Sequence, residues 1–448
     1  MPVEIWYIIA LLLAIFVSFA VLKRPIYECM FYGYIVMLVC LGEEASFFTH
    51  IEKTSKDTLF YSIIAFLALG KILDATHAVD SVIAVILSVF GKLRGGAGYT
   101  AVVASAFMGA LSGSGAGNVA TTGVFTIPAM IRSGFPRHLA ANIECAASTM
   151  GNMIPPAGVI VAALTCYNEF SGAEMPQSTF WIAMWGVAIW FILQRILTVF
   201  VFCHVYDIKP MDASDIPDIK PILKKNWPNL LLPFIILGPF ILDYFLKSTL
   251  FVSRLGEGAK NLSSSLLLIT PGIAAVYALI VSEKRMKIRE VLDVLSQSVA
   301  GIVPVGATIF FSYCISNLFS ASSIGAIIGA YIQTLNIPFA GLCFLIPLIT
   351  AVLGMVLPGS AQAKIFGSTI IAVYAAAGGN PLLAAVMLPV ITGAMEGMTP
   401  PLALCMYAAM GIAGSKMKET TMNVFVWIGL HYVLSVLCLL GILPILGM

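Results

Sequence analysis

The sequence predicts an all-α polytopic membrane protein, with about ten spanning helices and two re-entrant helical hairpins in an inverted-topology repeat. Three observations predict it. The 448 residues are 60% hydrophobic and 10% charged, whereas a soluble domain carries about 25% charged residues. The chain offers about ten stretches of the roughly 20 mostly apolar residues that one crossing needs. Its second half echoes its first at a constant offset of 245 residues.

Composition narrows the function classes. A net charge of +2 is too small to suggest nucleic acid, and no basic run has interleaved aromatics. The apolar run Val3–Leu22 has its basic pair, Lys23-Arg24, after it, so it reads as a retained first span and not as a cleaved signal. The nine cysteines lie scattered through apolar stretches with no C-x-x-C pair, and read as small packing residues. The five histidines show no H-x-x-x-H spacing. No G-x-S-x-G, Walker A or G-x-G-x-x-G motif occurs, so neither an enzyme nor a bound cofactor is expected.

Charge then orients the elements, because Lys and Arg in short loops stay cytoplasmic. Lys23-Arg24, Lys92/Arg94, Arg132/Arg137, Lys220–Lys225, Lys284–Arg289 and Lys416/Lys418 are placed inside. Tyr167–Gln177, with Glu169 and Glu174 but no cation, is placed outside. The loop Lys247–Lys260 is basic yet must be outside, one exception to the rule. Spans near 3–22 and 25–42 come first, then the outer loop Glu43–Asp57 and a third span near 58–74. Asp74–Phe90 follows as an amphipathic helix with Asp74, His77 and Asp80 on its wet side.

Gly95–Ile131 has basic residues at both ends, and a segment with two cytoplasmic ends cannot cross once. Its middle, Ser112-Gly113-Ser114-Gly115-Ala116-Gly117-Asn118, is small and glycine-rich enough for the chain to reverse. The alternative is a flexible loop between two full spans. Arms of about 15 residues are short for that, so the segment is read as a re-entrant hairpin.

At the 245 offset Gly109 meets Gly354, Gly134 meets Gly379, and Pro136 meets Pro381. Met150 and Met153 meet Met395 and Met398, and Pro155-Pro156 meets Pro400-Pro401. The tip Ser112–Asn118 falls on Leu357–Ala363. This divides the chain into N-terminal scaffold helices (1–56), repeat 1 (57–203), linker and scaffold helices (204–301) and repeat 2 (302–448). Repeat 1 holds a hairpin (95–131) and a broken helix (138–167), and repeat 2 a hairpin (340–376) and a broken helix (383–410). The basic flanks of the first hairpin become Ile337/Phe339 and Ala377/Leu382, so the two should enter from opposite sides. Opposed repeats are a transporter architecture.

Each double proline interrupts an apolar helix, because proline lacks a donor and disfavours helix in the residue before it. Backbone freed this way survives in a membrane only where it lines a protein cavity. A half-helix C-terminus there offers carbonyls to a cation, and an N-terminus offers N–H groups to an anion. The candidate binding residues of the first tip and break are Ser112, Ser114, Asn118, Ser148, Thr149, Gly151, Asn152 and Pro155. Those of the second are Gly359, Ser360, Gln362, Lys364, Glu396, Met398, Thr399 and Pro400. Any single hydroxyl among them is more often bonded back to its own helix, so the signal is the constellation.

Ser112–Gly123, Phe125–Met130 and Ala146–Pro156 together resemble the large membrane subunit (permease, DctM-like) of tripartite ATP-independent periplasmic (TRAP) transporters. The TAXI-type branch is closest in the first half, and Met398–Ala403 resembles the second signature. The resemblance runs over nearly the whole chain. It implies an inner-membrane secondary transporter that imports organic acids by sodium symport, with an elevator-type moving domain as in the ion-transporter superfamily. It also implies a separate four-helix small membrane subunit and a periplasmic substrate-binding protein. The coupling Na+ is placed at Ser112, Ser114, Asn118, Ser148 and Asn152, since hard cations prefer oxygen ligands.

Lys364 and Glu396 depart from the apolar or small polar residues that the resemblance leads one to expect. At the 245 offset they fall on Val119 and Gly151, so they are expected to face each other as an ion pair filling the second cation site. The plainer alternative has Lys364 reaching the outer surface and Glu396 facing water. Two other functions stay open: a stand-alone ion-coupled carboxylate carrier of a related inverted-hairpin family, and a channel or membrane enzyme.

Overall fold

In the computed structural model the described residues are 2–112, 115–246, 250–256, 258–282, 286–322, 324–335, 337–355, 357–400 and 403–448. Every regular element among them is helical. Six helices start directly after a proline: Pro2, Pro25, Pro136, Pro176, Pro338 and Pro358. Proline is tolerated there because its fixed φ suits the entry and it has no N–H to leave unpaired.

Val3–Phe16 packs on Ile26–Leu41, which in turn packs against the long helix Ile288–Ala321. Thr58–Ala75 joins this group and also meets Gly258–Val281. Asp74 lies in the last turn of Thr58–Ala75, and a left-handed His77 (φ 55°) separates that helix from Ala78–Phe90. The expected continuous helix from Asp74 is therefore two elements.

Gly96–Ser112 and Gly115–Arg132 pack together as the first hairpin, and both pack on Arg137–Ser148. That helix tightens to a 3-10 turn, Thr149–Asn152, and breaks through a cis Pro155-Pro156 bond before Gly158–Ser171 begins. The element order recurs. Phe339–Leu353 and Gly359–Ala376 precede Pro381–Pro389, a π-helical stretch Val390–Ala394, the single turn Met395–Met398, and Leu404–Ala413. Gln177–Val205 and Met417–Leu439 follow the two series.

The hairpins embrace the broken helices crosswise. Gly115–Arg132 packs on its own Arg137–Ser148 and on Leu404–Ala413 of the second series. Gly359–Ala376 packs on Pro381–Pro389 and, most extensively, on Gly158–Ser171 of the first. Small residues permit the approach, as lipid-embedded helix contacts require. A Cβ on Gly109 would lie 2.9 Å from the Gly151 Cα, and one on Gly359 would lie 2.2 Å from the Gly393 Cα.

One register differs from expectation. Gly109 meets Gly151 as Gly354 meets Glu396, at the 245 offset. The helices beyond the tips, Gly115–Arg132 and Gly359–Ala376, instead lie 244 residues apart. The second tip is one residue shorter, and the residue returns in the next turn, where the left-handed glycines are Gly134 (φ 96°) and Gly378 (φ 94°). Asn118 therefore corresponds to Gln362, not to Ala363.

By length and composition, four described stretches suffice to cross a bilayer: Gln177–Val205, Ile302–Phe319, Pro381–Met398 and Met417–Leu439. A bent pair, Glu44–Ser55 with Phe60–Ala75, would make five, and shorter apolar helical stretches of 10–17 residues accompany them.

Candidate functional site

The two tips and the two breaks meet at one cavity of about 180 Å³. Gly115 and Ala116 line it from the first tip, and Pro358, Gly359 and Ser360 from the second. Asn152 and Gly158 come from the first break, and Gly393, Glu396, Leu404 and Cys405 from the second. Leu67 and Ile309, on helices outside both hairpins, close the remaining side. Four helices of ten or more residues begin on this cavity, at Gly115, Gly158, Gly359 and Leu404. Each first turn has backbone N–H groups with no partner in its own helix, so together they form a place for an anion.

Asn152 ties the breaks together. Its Nδ2 donates to the Gly393 carbonyl at 2.6 Å, and its Oδ1 accepts the Gly115 N–H at 3.4 Å. Behind the first tip, Asn118 is fully buried and donates through Nδ2 to the carbonyls of Ser105 (2.8 Å) and Ser148 (3.4 Å). Among the described residues its Oδ1 has no partner, and neither does Gln362 Oε1, the corresponding amide behind the second tip. Gln362 Nε2 donates to the Leu357 carbonyl at 2.9 Å. Buried amide oxygens are normally paired, so each aims an available oxygen at the space behind its tip. That donor chemistry suits a hard cation.

Other expected residues serve their own helices. Thr149 donates to the Ala146 carbonyl and Thr399 to the Met395 carbonyl. Gly151 packs on Gly109, Pro155 and Met398 are buried, and Pro400 is half-buried. Ser112 ends its helix, with a side chain outside the described residues, and Ser114 lies outside them altogether.

The Lys364–Glu396 ion pair does not form. Lys364 Nζ lies 2.8 Å from Glu169 Oε1, with its ammonium 4.8 Å from the Tyr313 ring centroid, and Ser368 donates to the other Glu169 oxygen at 3.1 Å. Glu396 is directed elsewhere, with its carboxylate near the Gly359 N–H. The physical reason is the crosswise packing: Gly359–Ala376 lies along Gly158–Ser171, whose last turn carries Glu169.

Two charged groups were not anticipated. Glu144 is fully buried beside the first tip, where Thr122 and Thr126 donate to its two oxygens at 2.5 Å and Ser148 donates at 2.8 Å. Ser105 adds a fourth hydroxyl at 3.3 Å. Arg195, also buried, donates to the Ala146 carbonyl (2.6 Å), Thr149 Oγ1 (3.2 Å) and His431 Nδ1 (3.2 Å). A guanidinium only donates, so His431 accepts at Nδ1 and donates from Nε2 to the Val390 carbonyl at 3.0 Å. Arg195 thus braces the end of one broken helix and, through His431, the π-helical stretch of the other. A lone ionisable residue in an apolar run was the available signal for both.

The sequence matches the family described as tripartite ATP-independent periplasmic transporter, DctM component, over residues 13–444. A C4-dicarboxylate TRAP transporter large permease protein DctM of Pseudomonas aeruginosa is 31% identical over 188 residues, 42% of this chain and 42% of that one. An isethionate TRAP transporter permease protein DctMQ of Oleidesulfovibrio alaskensis is 22% identical over 97% of this chain and 65% of that one. The chain thus spans less than two thirds of the length of either relative. The solved structure of Neisseria gonorrhoeae MtrF shares the fold with a TM-score of 0.62, at 13% identity, over 90% of this chain and 85% of that one.

Proposed function

Because this chain belongs to the DctM component family of tripartite ATP-independent periplasmic transporters, and so is a multi-pass large permease, we propose that it imports an organic acid by sodium symport. The observation that carries the reading is the convergence of four half-helix N-termini on one cavity. N–H groups and aligned peptide dipoles there hold a carboxylate without any basic side chain. A cation beside each tip would add to that field. Asn118 Oδ1 and the Ser105–Ser148–Glu144 oxygens behind the first tip are the ligands we assign to Na+, with Ser112, Ser114 and Asn152 nearby.

The hairpins and broken helices form the moving unit in this reading, and Leu67 and Ile309 belong to the scaffold against which the cavity travels. The halves lie with opposite orientation among about ten spans of the inner membrane. A four-helix small subunit and a periplasmic binding protein complete the transporter, and the first signature is of the TAXI type. The test is uptake into proteoliposomes holding the chain and both partners, with a labelled panel of small organic acids that includes succinate and aspartate. Saturable uptake of at least one acid, driven by an inward sodium gradient, is expected. Uptake that is linear in concentration and indifferent to sodium rejects the reading.

A further inference from the structure

The cavity carries one ionisable carboxylate, Glu396, and no Lys, Arg or His among its lining residues. The side chain is more than nine-tenths buried and, among the described residues, forms no ion pair. The nearest expected cation, Lys364, is committed to Glu169. The Gly359 N–H is the backbone donor near the carboxylate, which has about four lone-pair sites. The position itself is ordinary. The Glu396 Cα packs against Gly354 as the Gly151 Cα packs against Gly109, so the backbone contact is the same in both halves and the side chain alone is new. A buried ionised carboxylate without a cation is costly unless it takes up a proton or something supplies the cation.

We propose that Glu396 selects substrates bearing a cationic group beside the acid group, so that the cavity takes an amino-acid-like zwitterion in preference to a dianion. The inference rests on the organic-acid reading of the cavity. The substrate's carboxylate lies on the N–H groups of the half-helix N-termini, and its ammonium completes the lone pairs of Glu396. In a space of about 180 Å³ the second carboxylate of a dianion would lie close to Glu396, and two like charges at that range disfavour each other's ionised forms. A zwitterion places opposite charges against both features of the wall at once. The cavity is smaller than the roughly 300–1,000 Å³ of drug-sized sites, which favours a compact molecule.

The experiment measures binding of labelled 2-aminobutyrate and succinate to the full chain in lipid nanodiscs at saturating sodium. The two share a four-carbon skeleton but differ in that the first carries an ammonium and a single carboxylate. Wild type should bind 2-aminobutyrate about tenfold more tightly than succinate. Glu396→Gln should erase or reverse that order, and so should Glu396→Gly, which installs the residue type of the first half. If neither variant folds, the wild-type order decides. Equal or tighter binding of succinate by wild type overturns the zwitterion proposal while leaving the organic-acid reading intact. An unchanged order in the variants also overturns it, and a change confined to sodium affinity would make Glu396 a cation ligand instead. Binding of neither compound counts against both readings.

Discussion

The Asn152 side chain donates to the Gly393 carbonyl at 2.6 Å, so one amide from the first break holds the backbone of the second. The same amide receives the Gly115 N–H from the first tip. Asn152→Ala leaves the carbonyl of buried Gly393 and the N–H of buried Gly115 without this partner, which should cost about 1–3 kcal/mol. We expect a lower melting temperature and a loss of uptake of at least about tenfold, because both half-sites lose their mutual position. Asn152→Asp keeps one acceptor and removes the donor. It should be the worse of the two, and thermal unfolding in detergent beside proteoliposome uptake checks the order.

Lys364 and Glu169 should behave as a coupled pair. Lys364→Met alone leaves the solvent-exposed Glu169 without its cation, and Glu169→Gln alone strands a buried ammonium, whereas the double substitution removes both charges. A double-mutant cycle on stability should give a coupling of roughly 1–3 kcal/mol. The corresponding cycle for Lys364 with Glu396 should be additive. The reverse pattern would mean that the ion pair lies elsewhere.

Asn118 and Glu144 should set the sodium response if the cluster behind the first tip binds the coupling ion. Glu144→Gln keeps the shape, and Thr122 and Thr126 retain alternative acceptors in their own helix, the Asn118 and Thr122 carbonyls. The sodium concentration for half-maximal uptake should therefore rise about tenfold or more with little change in melting temperature. Asn118→Ala should act in the same direction. Unaltered sodium dependence in both variants would remove this cluster as the cation site.

Arg195→Met should destabilise the fold. It leaves His431 Nδ1 without its donor in the interior, while the Ala146 carbonyl keeps only the Thr149 hydroxyl. Roughly 1–3 kcal/mol is expected from one such group. Arg195→Lys should recover only part of this, because an ammonium lacks the planar fork that reaches Ala146, Thr149 and His431 together. Urea or thermal unfolding of the two variants measures the difference.

Opposite orientation of the halves is tested at structurally equivalent positions. Ser133 is buried and Gly378 has a left-handed φ of 94°, so cysteines fit better at Arg132 and Ala376, the exposed last residues of the corresponding helices. On a background without the native cysteines, Arg132→Cys should react with an impermeant thiol reagent from the cytoplasmic side and Ala376→Cys from the outer side. Labelling of both from one side would exclude an inverted repeat.

Apolar stretch length, glycine-rich tips and double prolines are local features, and they made the helical class, the two tips and the two breaks legible in the sequence. The family likeness was legible for the same reason, since its signatures are the tips and breaks themselves. Partner choice was not legible. An offset of 245 placed Lys364 near Glu396, but a one-residue slip at the tip and the crosswise packing of Gly359–Ala376 on Gly158–Ser171 delivered the ammonium to Glu169. The same packing gathers four helix N-termini from 115 to 404 around one cavity and leaves Glu396 on its wall. Sequence spacing fixes which residues share a helix face. Which faces meet depends on how closely glycine-lined backbones approach, and that distance is decided only when all the helices pack together.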